Sequence, residues 1–285
     1  MPHQIAAQNL ICPLDQLPLS QVNNSLCCPS GHTFDLAKQG YVNLLPVQKK
    51  RSKDPGDSKE MVLARQRYLD AGIYQPISER LNQICQQILA DSIEPCVIDA
   101  GCGEGYYLNR LASIPALASA NLIGLDISKW AVQAASKRNK KITWLVGTNA
   151  QIPVQPNSVD LIVCTFGFYD FARFKPLLKA NGMVLLVESG EEHLIELREL
   201  IYPEVQRSNV PDLAAAYAEG FELVDQQSIQ FKPNTLNHEQ VTDLLVMTPH
   251  LYRASFEGKQ KAAALTELSV TADVVYRLLK IKPKA

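Results

Sequence analysis

The stretch at residues 97–107 constrains the fold of this chain more than any other. It reads Val-Ile-Asp-Ala-Gly-Cys-Gly-Glu-Gly-Tyr-Tyr, an apolar run followed by an acid and by glycines at positions 101, 103 and 105. Glycine has no Cβ and tolerates positive φ, so a turn of this kind lets the backbone approach a ligand closely. The pattern predicts a buried strand, a ligand-binding loop at Gly101, Gly103 and Gly105, and the start of a helix.

Two residues of this stretch narrow the choice of ligand. Tyr106 stands where a dinucleotide-binding loop needs its third small residue. Asp99 places a carboxylate at the strand end, where it would repel a pyrophosphate and attract a cation. S-Adenosylmethionine carries an ammonium and a sulfonium group, so the loop favours S-adenosylmethionine over NAD. A glycine turn without a ligand is the alternative for the loop taken alone.

Strand-like and helical segments alternate from residue 96 onward. Strands are predicted at residues 96–98, 122–126, 142–147, 159–164, 181–188, 221–231 and 270–281. This alternation predicts an α/β fold with a mostly parallel, seven-stranded sheet that helices cover on both faces. Ligands bind such sheets at the carboxyl ends of the strands. There, Asp126 is placed to contact the ribose hydroxyls of an adenosine, and Asn149 is placed to contact the adenine.

The chain is long enough for two domains, and its charge is distributed unevenly between its two ends. The 285 residues are enough for a large domain and a small one, and the net charge is −1. Residues 1–67 hold eight Lys or Arg against five Asp or Glu, whereas the remainder holds 20 against 24. The basic excess is concentrated at Lys49, Lys50, Arg51 and Lys53. A solvated surface is one interpretation of this cluster, and a binding surface of the small module is the other.

The sequence carries no pattern typical of export or of a membrane span. The first residues, Met-Pro-His-Gln, lack the basic and apolar regions of a signal peptide. No apolar run approaches the roughly 18 residues that a membrane-spanning helix needs. The seven cysteines are an odd number, and several lie within predicted helices and strands, which is unlike a disulfide framework. We therefore expect a reduced, cytoplasmic protein that does not contact a membrane.

The first 50 residues contain two knuckles typical of a small zinc site. Cys12 and Cys28 each precede a proline, and His32 follows Cys28 by four positions. Structural zinc takes four ligands in a tetrahedron, and position 15, where a second cysteine is expected, holds Asp15. Three interpretations stay open. Asp15 coordinates the metal through oxygen, Cys27 substitutes for it, or the metal is lost and packing alone holds the module.

A polar stretch at residues 48–60 separates this module from the rest, with Pro55 and Gly56 marking a turn. It divides the chain into a zinc-finger-like module at 1–50, a basic linker with helices at 51–94 and a cofactor domain at 95–285. Helices are expected from residue 58 through 68, from 77 through 89 and from 191 through 200. His193 falls in the first turn of the last helix, where it would face either the cofactor or solvent.

Nine segments distributed over nearly the whole chain carry a resemblance to one family. They are Cys-Pro-Leu at 12–14, Cys-Pro-Ser-Gly-His-Thr-Phe-Asp at 28–35, Gly-Tyr-Val-Asn-Leu-Leu-Pro-Val-Gln at 40–48, Arg-Ser-Lys-Asp-Pro-Gly-Asp-Ser at 51–58, Asp-Ala-Gly-Ile-Tyr-Gln-Pro at 70–76, Asp-Ala-Gly-Cys-Gly-Glu-Gly-Tyr-Tyr at 99–107, Gly-Leu-Asp-Ile-Ser-Lys at 124–129, His-Leu-Ile-Glu-Leu at 193–197 and Leu-Val-Met-Thr-Pro at 245–249. Through them the chain resembles the RlmA (RrmA) family of bacterial 23S rRNA guanine-N1 methyltransferases.

The resemblance implies a class I, Rossmann-like methyltransferase domain that uses S-adenosylmethionine, joined to a four-ligand zinc-ribbon-like module, in a homodimer. It places Zn²⁺ on Cys12, Asp15, Cys28 and His32, and it places cofactor contacts at Tyr74, Gly103, Glu104 and His193. The chain departs from the family pattern at two places. Asp15 replaces a cysteine, and residues 165–170, Thr-Phe-Gly-Phe-Tyr-Asp, differ after the fourth predicted strand.

The expected reaction is methyl transfer from S-adenosylmethionine to N1 of a guanine in 23S rRNA, with Lys49, Lys50, Arg51 and Lys53 expected to contact RNA phosphates. N1 carries a proton on the Watson–Crick edge, so the base must be unpaired and the proton must leave. Asp170 and Glu188 are the candidate bases, with ordinary capping as their alternative role, and Phe166, Phe168 and Tyr169 are candidates for stacking on the guanine. Two other functions stay open: a small-molecule methyltransferase whose N-terminal module is a lid, and a binding protein whose methyltransferase fold is inactive.

Overall fold

The computed structural model describes residues 5–6, 8–46, 52, 54–205, 210–248, 250 and 254–283. Its strands are β1 (Ser20–Val22), β2 (Ser25–Cys27), β3 (Thr33–Asp35), β4 (Tyr41–Asn43), β5 (Cys96–Ala100), β6 (Asn121–Asp126), β7 (Thr143–Val146), β8 (Val159–Thr165), β9 (Leu178–Ser189), β10 (Phe221–Phe231), β11 (Leu236–Asn237), β12 (Glu267–Leu268) and β13 (Ala272–Ile281). Its helices are α1 (Lys59–Asp70), α2 (Gln75–Ile88), α3 (Tyr106–Leu111), α4 (Lys129–Arg138), α5 (Phe171–Phe174), α6 (Ile195–Ile201), α7 (Ala214–Ala218), α8 (His238–Met247) and α9 (Phe256–Ala263).

Eight strands form one sheet in the order β10-β13-β9-β8-β5-β6-β7-β4. The strands from β9 to β4 pair in parallel, and β13 and β10 add to β9 in antiparallel orientation. The seven predicted strands are all present, so the mostly parallel α/β sheet is confirmed. The eighth strand, β4, comes from the first 50 residues and pairs with β7, from Tyr41 opposite Trp144 to Asn43 opposite Val146.

Both faces of the sheet are covered, which explains the continuous apolar runs of its strands. Successive side chains of a strand point to opposite faces. Accordingly, Val97 of β5 packs in a core with most of the helices, while Ile98 packs in a second core on the other face. The second core also contains Leu26 and Leu36 of the N-terminal region. The N-terminal region therefore packs directly onto the sheet.

Strands β1, β2 and β3 form a small antiparallel sheet, and residues 8–46, which contain these strands and β4, are called the ribbon below. Two hydrogen bonds fix it against the chain that follows β7. Ile11 N donates to Pro153 O at 3.0 Å, and Gln151 Nε2 donates to Pro13 O at 2.7 Å. The ribbon and the large sheet are thus joined by backbone contacts as well as by a shared core.

Two helices begin where the sequence places capping residues. Ser58 Oγ accepts from the Met61 N–H at 3.2 Å, and Ser128 Oγ accepts from the Ala131 N–H at 3.2 Å. Across the described ranges, no helix has the length and apolarity that crossing a membrane requires.

The predicted start of the helix at Glu191 is wrong, because α6 begins only at Ile195. Leu194 precedes it with φ +55°. Asp273 of β13 holds the turn before it, since the Glu192 N–H donates to Asp273 Oδ2 at 3.0 Å. His193 therefore lies in this turn and is buried against the sheet. The anchoring carboxylate is 81 positions away in the sequence, so local periodicity does not show it.

Candidate functional site

The glycine loop lies between β5 and α3 at the carboxyl edge of the sheet. Gly101 N and Cys102 N donate to Leu125 O at 2.8 and 3.0 Å, so the loop is bonded to the neighbouring strand β6. Gly103 has φ +53°, and a Cβ there would lie 3.6 Å from Arg65 Nη1. The bare backbone at Gly103 therefore faces the Arg65 guanidinium across a short gap, as close approach to a ligand requires.

Asp99 is buried beside this loop. The residue is 2% exposed, and within the described part of the chain its Oδ1 has no hydrogen-bond partner. Burial raises the pKa of Asp99 to about 7, and the nearby charge of Asp126 adds to the rise. A cation placed next to this carboxyl group would favour its ionised form. The geometry therefore agrees with the cationic ligand that the sequence predicts.

Asp126 and Asn149 lie at the carboxyl ends of the next two strands, as predicted. Asp126 accepts from Gly103 N at 2.9 Å through Oδ2 and from Ser128 N at 2.8 Å through Oδ1. Each carboxylate oxygen has a second lone pair, so a hydroxyl can still donate to it. Asn149 Nδ2 donates to Phe168 O at 2.7 Å, while its buried Oδ1 has no partner among the described residues. An acceptor is thus available on each residue.

Tyr74, Phe166 and His193 form an aromatic cluster at the same edge. Their ring centroids are 5.7 to 6.3 Å apart. His193 Nδ1 accepts from the Asp273 N–H at 3.3 Å, and Nε2 lies 3.3 Å from Tyr74 Oη. Burial lowers the pKa of His193 to about 4, so the neutral ring carries its proton on Nε2 and donates it to Tyr74. The predicted residues Tyr74 and His193 are therefore brought together.

Phe166 adopts a backbone conformation that side chains rarely take. Its φ is +50°, directly after β8, and its N–H donates to Val187 O at 2.8 Å. Non-glycine residues held at positive φ concentrate at functional sites. The sequence proposed Phe166 only as one of several stacking candidates, and the structure places it beside Tyr74 and His193 at the edge of the candidate site.

Glu104 lies within the glycine loop, and its carboxylate forms an ion pair with Arg138 of α4. Oε2 is 2.5 Å from Arg138 Nη2, and the residue is 1% exposed. Burial raises the pKa of Glu104, which the Arg138 charge opposes. Oε1 is buried without a partner in the described structure. The side chain thus supports the loop, and the cofactor contact implied by the family resemblance stays a prediction.

Arg65 lies at the candidate site beside Gly103, and the sequence analysis missed it. Its Nη1 is 2.5 Å from Asp57 Oδ2, and its Nη2 donates to Met247 O at 3.2 Å. Asp57 is held in turn, because Ser128 Oγ donates to its carbonyl at 2.7 Å. The segment Asp-Pro-Gly-Asp-Ser at 54–58 was therefore the sequence signal for this residue. This segment holds the start of α1, and therefore also Arg65, over the glycine loop.

The two candidate bases already have partners. Asp170 is the N-cap of α5 and accepts from the Arg173 N–H at 3.2 Å. Glu188, near the end of β9, forms a buried ion pair with Arg277 and accepts from Tyr169 Oη at 2.9 Å. The capping alternative thus describes Asp170, while Glu188 connects β13 to the loop after β8.

Cys12, Asp15, Cys28 and His32 lie together in the N-terminal ribbon, with one ligand atom of each within 4.8 Å of the others. His32 Nδ1 is 3.5 Å from Cys12 Sγ, 3.4 Å from Cys28 Sγ and 3.1 Å from Asp15 Oδ2. Asp15 Oδ2 is 3.3 Å from Cys28 Sγ. These four are the candidate metal ligands that the sequence predicts.

This donor set fits zinc. Zinc bonds of about 2.0 to 2.3 Å directed to the corners of a tetrahedron separate neighbouring ligand atoms by roughly 3.3 to 3.8 Å. The observed separations of 3.1 to 3.5 Å are close to that range. Cys27 Sγ instead faces Thr33 Oγ1 at 3.7 Å. Of the three interpretations left open by the sequence, the geometry favours Asp15 as the fourth ligand.

The predicted RNA-binding residues Lys49, Lys50, Arg51 and Lys53 lie outside the described residues.

Comparison with known proteins matches both parts of the chain. Residues 10–53 match the family model "RlmA, N-terminal", and residues 97–185 match a methyltransferase domain. YxjB of Bacillus subtilis (strain 168), provisionally named a 23S rRNA (guanine-N(1)-)-methyltransferase, is 28% identical over 92% of this chain and 94% of its own length. The 23S rRNA (guanine(748)-N(1))-methyltransferase of Streptomyces fradiae is 30% identical over 96% of this chain and 97% of its own length. On the strength of these matches, the chain belongs to the RlmA family of 23S rRNA (guanine-N1)-methyltransferases.

Proposed function

We propose that this protein transfers a methyl group from S-adenosylmethionine to N1 of a guanine in 23S rRNA. The observation that carries the proposal is the extent of the match to the Streptomyces fradiae enzyme, which includes the ribbon, the linker and the methyltransferase domain. The methyltransferase domain alone supports a methyl donor, and the ribbon and linker support a ribosomal RNA substrate.

In this proposal the groups at the carboxyl edge of the sheet bind the cofactor, which supplies an electrophilic methyl group on its sulfonium. Asp99 pairs with the ammonium, Asp126 accepts from the ribose hydroxyls, and Asn149 Oδ1 accepts from the adenine amino group. Arg65 has five N–H donors, of which Asp57 and Met247 engage two. Its remaining donors bind the cofactor carboxylate. The cofactor also contacts the backbone of the glycine loop, at Gly101, Gly103, Glu104 and Gly105.

The residues after β8 form the target side of the site. The guanine must leave its base pair to reach the methyl group, and an exposed aromatic side chain can stack on it. Phe168 is 94% exposed, while its carbonyl is fixed by Asn149. Neither candidate base is free to accept the N1 proton, since Asp170 caps α5 and Glu188 is bonded to Arg277 and Tyr169, so the proposal assigns no general base.

The N-terminal region is proposed to hold Zn²⁺ on Cys12, Asp15, Cys28 and His32, where the metal would stabilise a ribbon too small to build a core alone. We propose a division into a ribbon module at 1–50, linker helices at 51–94 and a methyltransferase domain at 95–285. The protein acts in the cytoplasm as a homodimer on 23S rRNA. Its free cysteines are consistent with a reducing compartment.

The test is incubation of the full chain with unmodified 23S rRNA and labelled S-adenosylmethionine, followed by primer extension. Methylation at N1 blocks Watson–Crick pairing, so one new stop should appear at a single guanine and be absent without cofactor. Label in the rRNA without any stop would contradict the N1 assignment. A small-molecule methyltransferase would instead leave the rRNA unlabelled, and its cofactor-dependent activity would not fall steeply with salt.

A further inference from the structure

Helices α1 and α4 form a groove that the proposed reaction does not use. Its cavity volume is about 290 Å³. Trp130 and Leu63 contribute apolar lining, and Lys59, Lys137 and Arg138 contribute the cationic lining. No Asp or Glu stands among the described residues that line it. An aromatic ring among cations, without carboxylates, fits a polyanion that carries flat apolar groups.

Trp130 is accessible from this groove. It is half-buried, Lys59 Nζ lies 5.9 Å from its ring centroid, and the neighbouring Leu63 is 42% exposed. Trp144, by contrast, is fully buried and donates to Asn139 O at 2.7 Å. A base can therefore reach the indole of Trp130 and not that of Trp144.

The charge around the groove differs from that of the surrounding domain. Residues 129–141 contain five Lys or Arg and no Asp or Glu, although acids outnumber bases over residues 68–285. Arg138 is compensated by Asp70 at 2.7 Å and Glu104 at 2.5 Å. Lys59 and Lys137 form no ion pair with any carboxylate that the structure describes, so their charges are available to phosphates.

The groove adjoins residues that flank the basic segment 49–53 in the sequence. A smaller cavity of about 30 Å³ adjoins it on the other side of Trp130 and is lined by Leu45 and Pro55, with Asp54 as its one acid. Leu45 and Pro55 flank the basic segment in the sequence. Arg138, which lines the groove, also bonds to Glu104 of the glycine loop.

We propose that a single-stranded segment of the rRNA lies in this groove, with one base stacked on Trp130 and its phosphates facing Lys59 and Lys137. The proposal rests on the proposed function and extends it, since it names a surface, shared by the linker helix α1 and helix α4 of the methyltransferase domain, that holds RNA away from the reacting base. Stacking contributes affinity for any base, and the lysines contribute salt-dependent affinity.

The test uses the two tryptophans of the chain as reporters. Unmodified 23S rRNA added to the full chain should quench the emission of Trp130 and leave that of Trp144 unchanged. Trp130→Phe should remove the quenching but keep the affinity within about twofold, because phenylalanine also stacks. Trp130→Ala should weaken binding, measured by filter retention, about tenfold.

Charge is tested separately. Lys137→Gln should reduce the slope of log affinity against log salt by about one. Lys282→Gln is the matched control, since Lys282 is exposed directly after β13, which lies toward the edge of the sheet opposite β7 and β4. It should leave the slope unchanged. All variants should bind S-adenosylmethionine as the natural protein does.

The outcomes separate this proposal from the proposed function. If the natural protein neither binds nor methylates 23S rRNA, the proposed function is wrong and the groove loses its ligand. If it methylates rRNA, but Trp130→Ala binds as tightly and no quenching occurs, the groove proposal alone is wrong. If Trp130→Ala changes the sedimentation of the protein without changing RNA affinity, the groove is a contact between two copies, which also overturns the proposal.

Discussion

Replacing Asp99 by Asn should weaken binding of S-adenosylmethionine and remove most of its pH dependence near neutrality. Without ligand, burial holds the pKa of Asp99 at about 7. A bound ammonium favours the carboxylate, so the pKa is lower in the complex and binding releases a proton. Affinity should therefore increase as pH rises through 7 and level off above it. His193, with its pKa lowered to about 4, stays neutral over this range.

The size of the effect follows from the fraction of Asp99 that is ionised. With a pKa of about 7, roughly nine tenths is ionised at about pH 8 and roughly one tenth at about pH 6. The natural protein should therefore bind about tenfold more weakly at the lower pH, or about 1.4 kcal/mol. Asp126 raises the pKa of Asp99, so Asp126→Asn should move the midpoint to lower pH without flattening the curve.

Isothermal titration calorimetry measures both quantities. Titrations in paired buffers of different ionisation enthalpy count the protons released, about half a proton per site near pH 7 for the natural protein. The amino group of the ligand titrates equally with every variant, so the difference between natural protein and Asp99→Asn belongs to Asp99. Equal pH slopes for the two proteins would refute the role given to this carboxylate.

Three further predictions follow from the cofactor, metal and target sides. Arg65→Gln should raise the dissociation constant for S-adenosylmethionine about tenfold through loss of a charged hydrogen bond. Arg67→Gln, on the same helix α1, breaks an ion pair with Asp243 of α8 and should not change it; equal effects in calorimetry would contradict the assignment. Asp15→Cys should bind Zn²⁺ more tightly in chelator competition, because a thiolate is the softer ligand; unchanged affinity would exclude Asp15 as a ligand. Phe168→Ala should lower kcat/KM for rRNA about tenfold at constant cofactor affinity, whereas Ile93→Ala, 92% exposed before β5, should change neither; identical kinetics for the two variants would refute stacking by Phe168.

The large sheet was predictable because its strands are apolar runs between turns. Parallel strands also end at one edge, so Asp99, Asp126 and Asn149 could be placed together without coordinates. β4 was not predicted, because Tyr-Val-Asn fits any small module and only its partner β7 makes it part of the sheet. Three residues carry too little pattern to reveal such a pairing.

The rest of the site depends on contacts between distant residues. Arg65 owes its position to Asp57 and to the carbonyl of Met247, which is 182 positions away. His193 owes its position to the turn that Asp273 anchors. No local spacing encodes such contacts, although the glycine and acids at residues 54–58 could have marked the segment as structured.

The pairing of β4 with β7 bears on the order in which this chain gains structure during synthesis. Tyr41 leaves the ribosome well before Trp144, its partner 103 positions later, so the ribbon must wait with part of its apolar surface uncovered. Conversely, an ancestor or fragment without the first 46 residues would present β7 as an unpaired edge, open to association with other chains. Strand β4 thus covers the edge that β7 would otherwise expose, and the N-terminal region cannot be removed from the methyltransferase domain at no cost in solubility.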